Sequence, residues 1–212
     1  MNLNLQELHE YVSLVKDIVT TLSAVTVAGI AILGLQTWKK QLKGKTEYEL
    51  ARRLLRTVYK VRDAIRLVRN PIMGAGEISQ ALQENNIEVD QHDERFDAIS
   101  QRSVYQRRLD KVQDALTELA LDVFEAEAIW GQGIREKLEP LRKSVLTLFA
   151  DIMLYLEQIE EPDRHILDRE TAHKIRGVIY ECSEDPSKDS FTAEIIEAIK
   201  QVEDYLRPHL NL

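Results

Sequence analysis

VKDIVTTLSAVTVAGIAILGLQTWKKQLKGK, residues Val15 to Lys45, decides the fold. Within it, Ile18 to Trp38 form 21 consecutive residues without a charge. As a helix rising about 1.5 Å per residue they reach about 31 Å, close to the thickness of a hydrocarbon core. Charges resume on both sides, at Lys16 and Asp17 and at Lys39 and Lys40, and Trp38 stands where an interfacial aromatic anchor belongs. The competing reading is the core helix of a soluble bundle, and Thr20, Thr21, Ser23 and Thr26 lend it some support. Such a helix keeps one polar face, however, and no side of this one carries a charge. The stretch therefore reads as a membrane span.

The flanks give an orientation. A cleaved signal peptide starts with a positive segment, whereas residues 1–15 hold Glu7 and Glu10 and no Lys or Arg. Lys39, Lys40, Lys43, Lys45, Arg52 and Arg53 follow the apolar run, against Lys16 alone before it. The positive-inside rule then expects residues 1–17 outside and the body in the cytoplasm. Thr21, Ala24, Ala28 and Ala31 lie at spacings of 3, 4 and 3, a small-residue face on which anchors self-associate.

Charge is unevenly distributed along the 212 residues. Residues 39–70 carry eleven basic and three acidic groups (+8), whereas residues 71–212 carry sixteen basic and thirty acidic (−14). An acidic body without interleaved aromatics argues against nucleic acid as a partner. A single cysteine, Cys182, excludes an internal disulfide and reads as an ordinary reduced residue near a helix end.

The rest of the chain is helical in pattern. Thr46-Glu47-Tyr48-Glu49 after Gly44 reads as a capping box opening a helix that Asn70-Pro71 ends. Along it Ala51, Leu54, Val58, Val61, Ile65 and Val68 recur at heptad spacing, with basic residues opposite. Residues 71–99 are irregular, with only 77–84 briefly helical. A second stripe runs from Leu109 to Trp130, and Gly131-Gln132-Gly133 turns the chain. A third stripe runs from Ile134 to Ile159, where Pro140 either kinks the helix or makes it start near Glu139. After the turn at Glu161-Pro162-Asp163, a helix over 163–182 and a last one, capped by Asp189 or Ser190 and ending before Pro208, complete the chain.

The expected fold class is all-α: a single N-terminal transmembrane helix plus a cytoplasmic antiparallel helical bundle or coiled-coil-like domain. Its parts are an extracytoplasmic segment (1–17), the span (18–38), a basic juxtamembrane amphipathic helix (39–70), a connector (71–99), the bundle (100–207) and a tail (208–212). The same heptads serve a homo-oligomer or an intramolecular core.

The basic helix carries the first functional expectation. Lys39, Lys40, Lys43 and Lys45 lie within a Debye length of the bilayer, where each contributes about 1 kcal/mol of attraction to anionic lipid headgroups. In a helix standing perpendicular, Arg66 is about 40 Å away and gains nothing from lipid. Either the helix lies along the membrane, or its distal arginines face something else, and the acidic body is available. Arg52, Arg53, Arg56 and Lys60 are then the surface for a cytoplasmic protein partner.

For catalysis the pattern is thin. Glu170 and His173 form one Glu-x-x-His pair, and with His165 they are weak candidates for a metal site; a di-iron bundle needs a second copy, which His9, His92, His165 and His209 do not supply. No phosphate-binding glycine loop, His-Glu-x-x-His, Gly-x-Ser-x-Gly or paired-cysteine motif occurs. No cofactor is expected.

TWKKQLKGKTEYELARRLLRTVYKVRDAIRLVRNP, Thr37 to Pro71, resembles the junction in small uncharacterised bacterial proteins that have one N-terminal membrane helix followed by a basic helix. The resemblance covers about a sixth of the chain, implies a bacterial inner-membrane setting and carries over no functional residue. The leading expectation is a non-enzymatic, membrane-tethered interaction, scaffold or sensor module. The alternatives are a membrane-perturbing effector whose anchors oligomerise on a signal, and a metal-binding helical-bundle enzyme.

Overall fold

The computed structural model describes residues 5–161, 167–181, 185 and 188–210. Over these the chain is all-helical, without a strand: α1 (Leu5–Val68), α2 (Ala75–Glu84), α3 (Phe96–Trp130), α4 (Gly133–Glu160), α5 (Arg169–Ile179) and α6 (Ser190–Leu210). Contacts divide it into two units, Met1–Glu47 and Tyr48–Leu212, each described by itself. Cys182, His165, the ends of the helix expected over 163–182 and the tip of the tail lie outside the described residues.

The first unit is helical throughout its described residues. The capping box expected at Thr46 is not formed: the Thr46 hydroxyl donates back to the Leu42 carbonyl at 3.0 Å, and helix runs through Gly44. A glycine inside a helix costs about 1 kcal/mol against alanine, less than giving up the hydrogen bonds of a whole turn. Thr20, Thr21 and Thr26 donate in the same way to the carbonyls four residues earlier, each at 2.8 Å. Their hydroxyls are thereby satisfied within the helix, which suits an apolar surrounding.

The second unit is a four-helix arrangement of the last part of α1 with α3, α4 and α6. Ala51, Leu54, Val58, Val61, Ile65 and Val68 are all buried, and they meet Leu109 and Val112 of α3, Leu141 and Leu148 of α4, and Val202 and Leu206 of α6. Here the heptad stripe packs within one chain. Cross-helix pairs set the directions: Arg53 with Asp122 and Lys60 with Glu118 run α3 against α1, and Tyr59 with Glu203 together with Arg69 with Thr192 and Asp189 run α6 against α1, while the short turn at Gly131 returns α4 along α3, where Tyr155 bonds Gln101. Gly131, at φ +79°, ψ −169°, makes the α3–α4 turn in a region open to glycine. Beyond it α4 begins at Gly133, earlier than Glu139, and continues through Pro140, because buried Ile134 and Leu138 hold the first two turns to the core. Likewise α6 passes Pro208 to Leu210, where the Trp130 ring stacks on His209 at 4.2 Å. The expected stop before Pro208 is thus displaced by packing of the last turn.

Two buried arginines fasten the ends. Arg108 of α3 grips Glu77 of α2 through two bonds (2.8 and 2.7 Å) and donates to the carbonyls of Asn70 and Ile72, fixing the turn after α1 and docking α2. Arg69 reaches the last carbonyls of α5 and the Asp189 carboxylate. Asp189 in turn caps α6 by accepting from the Thr192 N–H at 2.9 Å.

Both carboxylates lie below their ordinary range. Hydrogen bonds from Arg108 hold Glu77 down, outweighing its burial. Burial pushes Asp189 up, but the Thr192 N–H and the Arg69 charge prevail and the net shift is downward. A depressed folded pKa contributes stability that is complete above the ordinary carboxylate value of about 4. That contribution is lost as pH falls through the lower folded values. Thermal unfolding in detergent is therefore expected to show a midpoint insensitive to these groups from about pH 5 to 7 and falling below about pH 4. Glu77→Gln is expected to be less stable at pH 7 and to show a shallower acid decline; an unchanged acid slope would remove Glu77 as a contributor.

Candidate anchor and charged face

From Ile18 to Trp38 every side chain is exposed, and ten large apolar ones keep 50–68% of their surface open. None of the most apolar 18-residue window is buried in the protein. Burying a side chain of this kind is worth about 1.5–3 kcal/mol. Ten of them, each half to two-thirds open, leave on the order of 10–20 kcal/mol unclaimed, comparable with the net stability of an ordinary domain. A core helix would have claimed it. α1 is the one helix among the described residues that is long and apolar enough to cross a membrane. Along it Thr21, Ala24, Ala28 and Ala31 are all exposed.

Lys39, Lys40, Lys43 and Lys45 are exposed too, and Lys43 lies 3.7 Å from Glu47 one turn on. Farther along, the basic residues meet the acidic body. Arg53 donates from Nε to Asp122 at 2.6 Å and from Nη2 to Glu125. Thr57, fully buried, has its hydroxyl 2.9 Å from the other Asp122 oxygen. Lys60 binds both Glu118 oxygens at 2.9 and 2.7 Å, and Arg56 lies 3.9 Å from the same carboxylate. Arg66 stands 3.4 Å from Glu181.

These contacts explain the local electrostatics. The hydrogen bond from Lys60 draws the Glu118 carboxyl below its usual range, and the hydrogen bond to Asp122 raises the Arg53 guanidinium. Arg52 has no ion pair among the described residues and is exposed. Arg56, long and loosely held, keeps most of its side chain in solvent. Arg52 and Arg56, four apart, thus form the outward basic pair of a face whose other members are committed to α3.

Two of the three metal candidates lie among the described residues. Glu170 pairs with Lys174 at 2.7 Å on the exposed side of α5, His173 is exposed, and His165 lies outside the described residues. No group of three or more metal-ligating side chains occurs among the described residues.

Several features escape the heptad reading. Arg69 and Arg108 are among the most deeply buried side chains. The available signal is register: Arg108 sits four residues from Val104 and from Val112, on a core-facing position. α3 also carries Leu121 and Phe124 on its outer side, 65% and 61% exposed, beside the inward stripe. Comparison with protein families, with curated proteins and with solved structures finds no match to this chain.

Proposed function

We propose that the protein is a single-pass membrane protein whose helical bundle serves as a non-enzymatic interaction module on the cytoplasmic side, engaging an acidic surface of a protein partner. The carrying observation is the uncharged stretch Ile18–Trp38, exposed over its whole length on α1. The lysines after it favour the cytoplasmic orientation of the body and contact with anionic headgroups. The outward pair Arg52 and Arg56 supports a charged protein contact that leaves the internal pairs of Arg53 and Lys60 in place.

Capture of a partner from detergent-solubilised membranes tests this. Reversing all four of Arg52, Arg53, Arg56 and Lys60 would break the α1–α3 pairs as well as the surface, so the informative variant is Arg52→Glu with Arg56→Gln, whose neutral amide sets no second negative charge beside Glu118. It is expected to reduce capture about tenfold or more, the loss of about 1.4 kcal/mol or more, without lowering the thermal midpoint. Unchanged capture by a fully folded double variant counts against this surface.

A further inference from the structure

At the end of the bundle remote from the α3–α4 turn, residues from five segments border an open cleft of about 410 Å³. Pro71 from the turn after α1, Ile78 from α2, Phe96 from the start of α3, Tyr155 from the end of α4 and Tyr180 from the end of α5 form its walls. We propose that this cleft binds a small organic cation, an alkylated or protonated amine.

Three independent observations carry the inference. The first is a buried hydroxyl without a protein partner beside the cleft. Ser100, 3% exposed, lines the cleft, and its hydroxyl has no hydrogen-bond partner among the described residues. A buried hydroxyl left unpaired is costly, and native structures supply it with a partner from protein, water or ligand.

The second is the arrangement of the rings. Tyr180 donates to the Tyr155 hydroxyl at 3.0 Å, and Tyr155 donates to Gln101 Oε1 at 2.8 Å. This chain fixes two tyrosine rings almost at right angles, 77° apart with centroids 6.2 Å from each other. Tyr105 stands behind them, edge-on to Tyr155 at 6.1 Å. Aromatic walls set at an angle offer ring faces to a cation placed between them. Burial raises both hydroxyls' pKa, so neither ring carries a charge at neutral pH.

The third is charge. Asp97 lies at the rim, and no lysine or arginine is among the residues that line the cleft. The segment leading into it, residues 84–97, carries six carboxylates against one arginine. Arg176 of α5 acts on Tyr155 and Tyr180 from a solvent-exposed position outside the lining, where its field is screened. Two buried arginines stand behind the walls, Arg108 on the carbonyls either side of Pro71 and Arg69 on that of Tyr180, each paired with its own carboxylate, Glu77 and Asp189. With both neutralised in this way, Asp97 leaves the lining favouring a cation over an anion, and the volume falls in the range of small-molecule sites.

The test uses the full chain in a maltoside detergent. Tetramethylammonium chloride is titrated at constant ionic strength and followed by saturation transfer from protein to the ligand methyl signal. Saturable binding is expected, at least about tenfold weaker for Asp97→Asn and for Tyr155→Leu. Asp97 is exposed, so its variant keeps the fold even where Tyr155→Leu does not. A neutral isostere, 3,3-dimethyl-1-butanol, is expected to bind more weakly. The proposal is overturned by absence of saturable tetramethylammonium binding, by equal binding of the neutral isostere, or by wild-type affinity in a folded Asp97→Asn variant.

Discussion

Replacing Arg69 by alanine is expected to lower the unfolding free energy of the bundle by about 3–5 kcal/mol, the usual cost of removing one partner of a buried ion pair. The guanidinium is 1% exposed and spans three elements. Its Nε donates to the Val178 carbonyl at 2.7 Å, Nη1 to the Thr192 hydroxyl at 2.6 Å, and Nη2 faces the carbonyls of Gly177 and Tyr180 and both Asp189 oxygens. The last carbonyls of a helix lack intrahelical partners, and here one cation satisfies three at the end of α5. The Phe191 ring lies 4.9 Å from the guanidinium carbon and closes that side. Alanine therefore strands a carboxylate and several carbonyls in one dry site. Lysine restores the charge but not the planar fork, so Arg69→Lys should recover only part of the loss. Pairing Arg69→Met with Asp189→Leu removes the stranded charge and should cost less than the sum of the two single changes, though the α5 carbonyls remain unpaired and the α6 cap is gone. Denaturant unfolding monitored by helical ellipticity measures Arg69→Ala, Arg69→Lys, the double variant and its two single changes. A loss under about 1 kcal/mol for Arg69→Ala would mean that the site is wet and the knot is not structural.

The stripe from Ala51 to Val68 was legible because a helix packed on one side repeats its apolar residues every 3 or 4 positions, and all six named residues are buried. Charge balance was legible for the same reason: a basic helix and an acidic body in one chain meet at Arg53–Asp122 and Lys60–Glu118. What local pattern misjudges is context. Gly44 and Thr46 have the composition of a helix break, yet the threonine hydroxyl turns back into the preceding turn and the helix persists. Pro140 and Pro208 have the composition of helix ends, yet Ile134, Leu138 and the Trp130–His209 stack hold the flanking turns. Arg69 and Arg108 look like surface charges until their acceptors are known, and those acceptors lie 31 to 123 residues away. The tyrosine cleft is harder still. Its walls come from five segments with no shared periodicity, and its unpaired serine is recognisable only once the neighbours are in place.

Protein in isolated membranes is expected to resist extraction by alkaline carbonate, and two arginines in the anchor are expected to abolish that resistance. The span contains no charge between Ile18 and Trp38, and Ala28 is its central residue. An arginine near the centre of a membrane helix costs about 2.5–3.5 kcal/mol in insertion. Ala28→Arg with Ile32→Arg, one turn apart, therefore costs about 5–7 kcal/mol if the two act independently, enough to reverse an insertion equilibrium that favours the membrane by a few kcal/mol. Ala28→Leu with Ile32→Leu changes volume without charge and should remain in the pellet, separating insertion from packing. Protease added outside intact cells distinguishes the orientations: with the lysines at 39–45 on the cytoplasmic side, the body stays protected until the membrane is opened. Wild-type protein recovered in the soluble fraction would mean that the exposed apolar surface of α1 is covered by protein, and the anchor would be lost from the proposal. Carbonate-resistant protein whose body is cleaved from outside would keep the anchor and reverse its direction. These outcomes differ because exposure of the helix decides whether it needs an apolar surrounding, whereas the flanking charges decide only which way it faces.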